Sequence, residues 1–253
     1  MKKSHLLLIL LIFLGFYIHN SSQAGLIDPN TPDTQYIEYA RNFHYVGRIY
    51  GETLDNQKYF GSCVAINDSV IITAAHIATE IKTANVSING KQIEIIEWII
   101  HKDFHKDKLG LNDIAICLTK EKINLDWYPE LYQDKNEINK ICCLAGFGAY
   151  GTFGSGPIKS DGQRRAGSNI IDYTELGVLI CNPSTDSKKT SLEFFICPGD
   201  SGGGLFIDNK LAGIHSYVIR FKPTNRQESA HTRISDHVDW INNNTNILIN
   251  RGK

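Results

Sequence analysis

The sequence predicts an all-β protein, and three features of its pattern support this class. From Tyr45 onward, short apolar runs alternate with turn residues, as is typical of strands joined by hairpins. Turn sequences such as Asn67-Asp68-Ser69 and Asn89-Gly90 separate the runs. No long segment with a helical period occurs in the first half of the chain, so an α/β fold is not expected.

The apolar runs of the first half predict five strands, at about 46–50, 63–66, 70–73, 86–88 and 93–100. A β-barrel accommodates such a series of short strands. Near the other end of the chain, Ser235 is a candidate N-cap for a short helix over about 235–244. Val238, Trp240 and Ile241 are expected on its apolar side.

Three segments are expected to lack regular structure. Residues 25–45 are polar and rich in turn residues, which predicts an extended arm. Residues 119–139 are interpreted as a connection between the two halves of the fold. Residues 148–168 are rich in glycine, which predicts a mobile surface loop with a solvated turn at Gln163-Arg164-Arg165.

The N-terminus has the layout of a secretory signal peptide. Lys2 and Lys3 precede an apolar run at 6–18, and Ser22-Gln23-Ala24 places small residues before a cleavage point. An uncleaved membrane anchor is the alternative, but the run is shorter than the roughly 20 residues that a spanning helix needs. We therefore expect a signal peptide over 1–24, a mature domain over 25–253, and a secreted (extracellular or periplasmic) location.

The charge balance limits the classes of partner. The chain has 26 Lys plus Arg and 27 Asp plus Glu, and removing the two signal lysines gives the mature part a net charge of −3. No block of one charge sign is present, which argues against a nucleic acid or a charged membrane surface as partner. Export permits oxidation of some cysteine pairs, although the cysteines are too few for a disulfide scaffold. They are Cys63, Cys117, Cys142, Cys143, Cys181 and Cys197.

The run Cys197-Pro198-Gly199-Asp200-Ser201-Gly202-Gly203-Gly204 is the candidate for a nucleophile motif. A serine hydroxyl needs a nearby base and donors for the oxyanion before it attacks a carbonyl. Glycines on both sides let the backbone turn sharply and bring amide N–H groups beside the attacked atom. Taken alone, the run is equally typical of an ordinary turn before a strand.

Two upstream motifs supply the partners that such a serine requires. Thr73-Ala74-Ala75-His76 places a histidine after a strand rich in β-branched residues. Asn112-Asp113-Ile114-Ala115 places an aspartate between a loop and an apolar strand, where its carboxylate would be partly buried. A buried carboxylate needs a hydrogen-bonding partner, and an imidazole N–H is the natural one. Four further histidines, His101, His105, His231 and His237, are interpreted as ordinary surface or core residues.

In the order His, Asp, Ser, the three motifs resemble those of chymotrypsin-like (trypsin-fold) serine proteases, and the resemblance extends from about Tyr45 to Asn244. It implies two six-stranded Greek-key β-barrels, at about 45–120 and 140–230, with a short C-terminal helix. It also implies an endopeptidase with catalytic His76, Asp113 and Ser201, and an oxyanion hole formed by Gly199 and Ser201. The substrate is then a protein or peptide, and no metal or cofactor is required.

The resemblance further assigns Phe195, His215, Ser216 and Val218 to substrate binding. Phe195 occupies the position where trypsin-type enzymes carry an aspartate for Arg or Lys, so trypsin-like specificity is not expected. His215 matches the histidine with which glutamate-specific relatives read an acidic side chain. The alternative is a partly buried strand residue and a preference for small apolar side chains.

The segment before the nucleophile raises a question about activation. Members of this family usually insert a liberated Ile-Val-Gly-Gly terminus beside the aspartate that precedes the serine, here Asp200. The expected mature terminus is instead Gly25-Leu26-Ile27-Asp28. We expect a terminus near Gly25–Ile27 to pair with Asp200.

Two other functional classes stay open at this point. One is a catalytically silent binding protein on the same fold. The other is an exported esterase of a different fold, which is disfavoured because the order of its triad differs. The protein is expected to be a monomer.

Overall fold

The computed structural model describes residues 25–108, 110–153, 155–184, 187–221 and 226–252. The expected signal peptide lies outside the described residues. The strands are β1 Gly25–Ile27, β2 Val46–Thr53, β3 Lys58–Ala65, β4 Val70–Thr73, β5 Ile81–Ile88, β6 Lys91–Ile100, β7 Ala115–Thr119, β8 Ile141–Gly146, β9 Tyr150–Thr152, β10 Gly156–Lys159, β11 Arg165–Glu175, β12 Val178–Cys181, β13 Phe194–Phe195, β14 Gly204–Ile207, β15 Lys210–Phe221 and β16 Arg226–Arg233. The α-helices are α1 Asp33–Tyr39, α2 Ala75–Glu80 and α3 Val238–Arg251, and 3₁₀ turns cover Ala40–Phe43 and Ile234–Asp236.

Two closed, six-stranded, antiparallel barrels confirm the predicted all-β class. The first has the strand order β2-β3-β4-β7-β6-β5, and the second has the order β11-β12-β16-β15-β14-β8. β-Branched side chains such as Val64, Ile72 and Ile116 fill the first barrel and are fully buried. Such residues favour the pleated, half-buried surface that each strand presents to a barrel interior.

A small third sheet joins the N-terminal segment to the second half of the chain. Its strand order is β10-β9-β1-β13. β1 runs parallel to β9, with Gly25 opposite Tyr150, and antiparallel to β13, with Leu26 opposite Phe195. The expectation of a mobile loop over 148–168 is therefore wrong. Glycine at 151 lies directly opposite Leu26 and belongs to a paired strand rather than to a free loop.

The expectation that Gln163-Arg164-Arg165 forms a solvated turn is also wrong for its two arginines. The Arg165 side chain is only 3% exposed and donates bidentate hydrogen bonds to Asp33 and to Asp161. Arg164 donates to the carbonyls of Ala40 and Val46. Sequence reasoning missed these contacts because every partner except Asp161 lies more than 100 residues away in the chain.

The N-terminal arm is not extended throughout, since α1 and a 3₁₀ turn occupy much of 33–43. Tyr36 anchors this helix, because its ring is fully buried and its hydroxyl donates to the Glu193 carbonyl. Asp33 in the first turn is held by Arg165, as described above. Tertiary contacts thus stabilise a helix that is too short to persist alone.

The C-terminal helix begins later and ends later than expected. A 3₁₀ turn covers Ile234–Asp236, and α3 follows with Ile241 and Leu248 buried. Ser235 does not cap it, because its hydroxyl donates to the buried carboxylate of Glu137 instead. Within the described part of the chain, no helix has the length and apolar character needed to cross a membrane.

No disulfide bond joins the six cysteines, all of which lie in the described part of the chain, and five of them are buried. The expected oxidation of some pairs is therefore not seen. The sulfurs of Cys142 and Cys181 are 3.9 Å apart inside the second barrel.

Candidate active site

His76 lies in the first turn of α2, immediately after β4, and contacts the aspartate predicted from the sequence. Its backbone N–H donates to Asp113 Oδ1 at 2.9 Å, and its Nδ1 lies 2.8 Å from Asp113 Oδ2. Ala74 and Ala75 are fully buried, so the chain before the histidine packs closely against its surroundings. The His76 side chain remains 27% exposed.

Asp113 is ionised at neutral pH although it is almost completely buried. Burial alone would raise the pKa of its carboxyl group, but the hydrogen bonds and charge of His76, together with the Ser216 hydroxyl, lower that pKa below its ordinary value. An ionised carboxylate only accepts hydrogen bonds, so Nδ1 of His76 carries the hydrogen in the neutral imidazole. Nε2 of His76 is then left as the proton acceptor.

Ser201 sits in a tight turn between β13 and β14, packed against the segment that precedes His76. Ser62 N–H donates to the Ser201 carbonyl at 2.7 Å. The next residue, Gly202, has a φ of +83°, and an added Cβ would lie 2.1 Å from both the Ser62 carbonyl oxygen and Thr73 Oγ1. Only glycine permits this close approach of the serine turn to strands β3 and β4.

Ser216 connects the serine to the aspartate. Its hydroxyl donates to Asp113 Oδ2, and its carbonyl accepts from Ser201 Oγ at 3.4 Å. Among the described residues, no hydrogen bond joins Ser201 Oγ directly to His76. Such contacts are often long before a substrate binds, so this geometry is compatible with proton transfer between them.

Two amide groups beside Ser201 have the features of an oxyanion hole. In the described part of the chain, neither the Gly199 N–H nor the Ser201 N–H donates to another group. Gly199 has a φ of +93°, and its carbonyl is held by the Ser62 hydroxyl at 2.8 Å. The Phe60 ring covers the glycine, since an added Cβ would lie 2.5 Å from Phe60 Cε2. These contacts hold Gly199 in place, and its own N–H, which belongs to the preceding peptide, stays available as a donor.

Asp200 is fully buried with two neutral donors. The N–H groups of Gly148 and Cys197 contact its carboxylate at 2.7 and 2.9 Å. Burial raises the pKa of Asp200 to about 7, against the lowering effect of those donors. The backbone nitrogen of Gly25 donates to the Ala149 carbonyl at 2.6 Å, one residue from Gly148. The start of the expected mature chain therefore contacts the residue that follows one of the two donors to Asp200.

The four predicted pocket residues differ in their access to solvent. Phe195 is fully buried and packs with Leu26 and Cys197. His215 is also fully buried, and Ser216 is 4% exposed. Val218, which lies two residues after Ser216 on β15, is 38% exposed.

His215 belongs to a buried chain of hydrogen bonds that the sequence did not predict. Its Nδ1 lies 2.9 Å from Nδ1 of His231, and His231 Nε2 lies 3.0 Å from Ser229 Oγ. Ser229 uses its only hydrogen on the Cys181 carbonyl, so His231 donates through Nε2 and accepts through Nδ1. His215 therefore donates through Nδ1, and its buried Nε2 has no hydrogen-bond partner in the structure.

Burial keeps both histidines neutral. It lowers the pKa of His215 well below its ordinary range, with a further contribution from His231. It lowers the pKa of His231 to about 3.

Ser62 is a site residue that sequence reasoning missed. Besides its contacts with Gly199 and Ser201, its hydroxyl accepts from the Phe147 N–H at 2.9 Å. It thus ties the nucleophile turn to the strand that opens the second barrel. A serine between Gly61 and Cys63 in a strand carries no pattern by which this role could have been found. Within the described residues, no group of three or more His, Cys, Asp or Glu side chains is arranged to hold a metal ion.

Two six-stranded barrels, with a histidine and an aspartate from the first meeting a serine turn of the second, define a chymotrypsin-like serine protease. A family model described as Trypsin matches residues 37–241. The chain belongs to the Trypsin family, and its enzyme class is the serine-type endopeptidase.

Individual relatives are distant. Trypsin eta of Drosophila melanogaster is 23% identical over 262 residues, covering 93% of this chain and 94% of the relative. Snake venom serine protease KN6 of Trimeresurus stejnegeri is 24% identical over 209 residues, covering 74% of this chain and 79% of the relative. The solved structure of HL collagenase gives a TM-score of 0.65 at 19% identity, covering 81% of this chain and 94% of that one. At this identity the structural likeness demonstrates the fold alone.

Proposed function

We propose that the mature chain is a secreted endopeptidase in which Ser201 attacks the peptide carbonyl and forms an acyl-enzyme. His76 takes the serine proton through Nε2 and returns it to the leaving amine, while Asp113 holds the tautomer and stabilises the imidazolium. The N–H groups of Gly199 and Ser201 receive the oxyanion. One observation carries the proposal: a buried, ionised Asp113 fixes His76 beside a serine whose two neighbouring amides are unoccupied.

A fluorophosphonate probe tests this assignment, because it reacts with an activated serine and not with an ordinary hydroxyl. The mature protein should be labelled on Ser201, and Ser201→Ala should remain unlabelled. A folded wild-type protein that resists labelling would favour the alternative, a catalytically silent binding protein on the protease fold.

We assign Phe195, His215, Ser216 and Val218 to the acyl side of the substrate. Ser216 lies on β15, which suits the addition of the substrate backbone as a further strand. Phe195 offers no counter-charge for Arg or Lys, and burying a cation without one is costly. Cleavage after Arg or Lys is therefore excluded by this proposal.

Two classes of side chain remain as candidates for the residue that precedes the scissile bond, and a different observation supports each. The unpartnered Nε2 of His215 favours an acidic residue. This nitrogen carries no hydrogen in the neutral chain of histidines, so a carboxylate must bring a proton with it. Complete burial of His215 and Phe195 instead favours a shallow site for small apolar residues.

A peptide-library cleavage profile at pH 5.5 and pH 7.5 distinguishes the two. For acidic specificity, the preference for Glu over Gln should fall by about tenfold per pH unit, since one proton is taken up on binding. For small apolar specificity, the profile should not change with pH. Efficient cleavage after Arg or Lys would overturn the pocket assignment.

The proposal includes a maturation step in which removal of residues 1–24 creates the functional N-terminus. The Gly25 nitrogen already donates to the Ala149 carbonyl, and as an ammonium group it would have further hydrogens for Asp200. Asp200 requires a nearby positive charge, because a fully buried carboxylate with two neutral donors is costly to ionise. If signal removal creates this terminus, the chain needs no separate activating protease.

Export would also expose the cysteine thiols to oxidising conditions. Cys142 and Cys181 are the pair best placed for oxidation, with sulfurs 3.9 Å apart. Exchange with an oxidised dithiol carrier would join the two sulfurs and transfer both thiol hydrogens to the carrier. The intact mass of protein recovered from the culture medium should then be about 2 Da lower than that of the reduced chain, and the Cys142→Ser variant should lack this difference.

A further inference from the structure

A groove of about 650 Å³ lies beside the candidate oxyanion hole and has no role in the mechanism above. Strands β2 and β3 of the first barrel form most of its wall, and the second half of the chain adds Phe147 and Gly162. Phe60, one of the lining residues, is the ring that covers Gly199. Phe60 is thus shared by the groove and the candidate oxyanion hole.

Different strands contact the two polar groups of Ser201. Ser216 of β15, the strand that would bind the acyl part of a substrate, contacts the Ser201 hydroxyl. Ser62, two residues after Phe60 on β3, contacts the Ser201 carbonyl and the Gly199 carbonyl. A peptide bound along β15 that passes Ser201 would then extend toward Phe60 with the part that leaves as the amine.

Arg48 supplies an uncompensated positive charge in this groove. Its guanidinium lies over the Phe60 ring at 5.1 Å from the centroid. Among the described residues it has no salt bridge and no hydrogen bond, and its Nε is buried without a partner. Gly162 leaves room beside it, since an added Cβ there would lie 3.0 Å from Arg48 Nη1.

The other charges of the groove offset one another. Glu52 and Lys58 are directly opposed on neighbouring strands, so they contribute one charge of each sign. Arg48 is the charge in excess. A stacked guanidinium with free donors is the arrangement that proteins use to bind a carboxylate in two-point geometry.

We propose that Arg48 selects substrates with an acidic side chain two or three residues after the scissile bond. The position follows from scale, because an extended chain advances about 3.3 Å per residue and Arg48 lies one aromatic ring beyond Gly199. This specificity rests on the proposed endopeptidase function.

Quenched fluorescent peptides that differ only by Glu, Gln or Lys at those two positions test the assignment. Glu should exceed Gln in kcat/KM by about fivefold, as a partly exposed ion pair allows. Arg48→Met should abolish the preference and Arg48→Lys should retain part of it. Arg41→Met, which removes an exposed arginine outside the groove, is the matched control and should keep the preference. Equal rates for Glu and Gln in the wild type, or a preference that survives in Arg48→Met, would overturn the proposal.

Failure of the proposed function gives a different result. In that case Ser201 is not labelled by the fluorophosphonate probe and no peptide is cleaved. Binding of the same peptides to Ser201→Ala, measured by fluorescence anisotropy, still tests Arg48 without turnover. Tighter binding of the Glu peptide, lost in Ser201→Ala combined with Arg48→Met, supports the assignment, and equal binding refutes it.

Discussion

A one-residue change at the N-terminus provides the sharpest test of how this protein matures. We compare a chain that begins at Gly25 with one that begins at Ala24. The extra residue moves the terminal ammonium about 3.3 Å along the chain and turns the Gly25 nitrogen back into an amide. The side chains of the folded domain are otherwise the same.

The expected magnitude follows from Asp200. With an amide at Gly25, burial raises the pKa of Asp200 to about 7 from an ordinary 3.8. About three pKa units at 1.36 kcal/mol each mean that ionising this carboxyl costs the folded state about 4 kcal/mol. A raised folded-state pKa gives stability that is present at low pH and is lost as the pH rises from about 4 toward 7. An ammonium beside Asp200 lowers that pKa and removes the loss.

The free energy of unfolding, measured by urea denaturation, should therefore be the same for both chains near pH 4. At pH 7.5 the chain that begins at Gly25 should be more stable by about 2–4 kcal/mol. The Asp200→Asn substitution is the control, because without a carboxylate the two chains should have equal stability at both pH values. Equal stability of the unsubstituted chains at pH 7.5, or the same difference in Asp200→Asn, would refute the pairing.

Three further predictions concern the triad, the buried arginine and the histidine pair. Ser201→Ala and His76→Ala should each lower kcat by about 10⁴-fold or more while the melting temperature is preserved, since triad members act as a unit. Arg165→Met should lower the free energy of unfolding by about 3 kcal/mol, because it leaves two partly buried carboxylates unpaired. Between pH 6.5 and about 3, His231 should cost the folded state about 1.4 kcal/mol per pH unit, and His231→Gln should reduce this slope in urea denaturation.

Each of these has an outcome that contradicts it. Wild-type turnover in Ser201→Ala would exclude the serine mechanism. If Arg165→Met lowers the free energy of unfolding no more than the exposed substitution Arg41→Met does, the ion pairs contribute little to stability. For the histidine the sign is fixed, because a depressed folded-state pKa lets only the unfolded chain bind the proton, so stability must fall as the pH falls. An unchanged slope in His231→Gln would show that other groups govern acid unfolding.

Glycine-rich and arginine-containing stretches show where local sequence was misleading. The segment 148–168 has the composition of a loop, yet it forms strands because β1 supplies a partner from more than 100 residues away. Arg165 lies in a short polar stretch that is typical of an exposed turn, yet its ion pairs with Asp33 and Asp161 hold its side chain in a buried position. Composition reports what a segment does alone, and these partners are contributed by the fold.

Short-range patterns determined the class of fold and the candidate catalytic residues. The alternation of short apolar runs with turn residues predicted the all-β class, because both signals are visible in any short window of the sequence. The motifs around His76, Asp113 and Ser201 were identifiable because the small residues that these sites require are neighbours in the sequence. Glycines flank Ser201, and alanines precede His76. Only the tertiary structure revealed the contacts of Ser62 with Gly199 and Phe147, and the groove in which we propose a role for Arg48. These features depend on which parts of the chain become neighbours, and contacts between distant segments leave no pattern in the residues on either side of them.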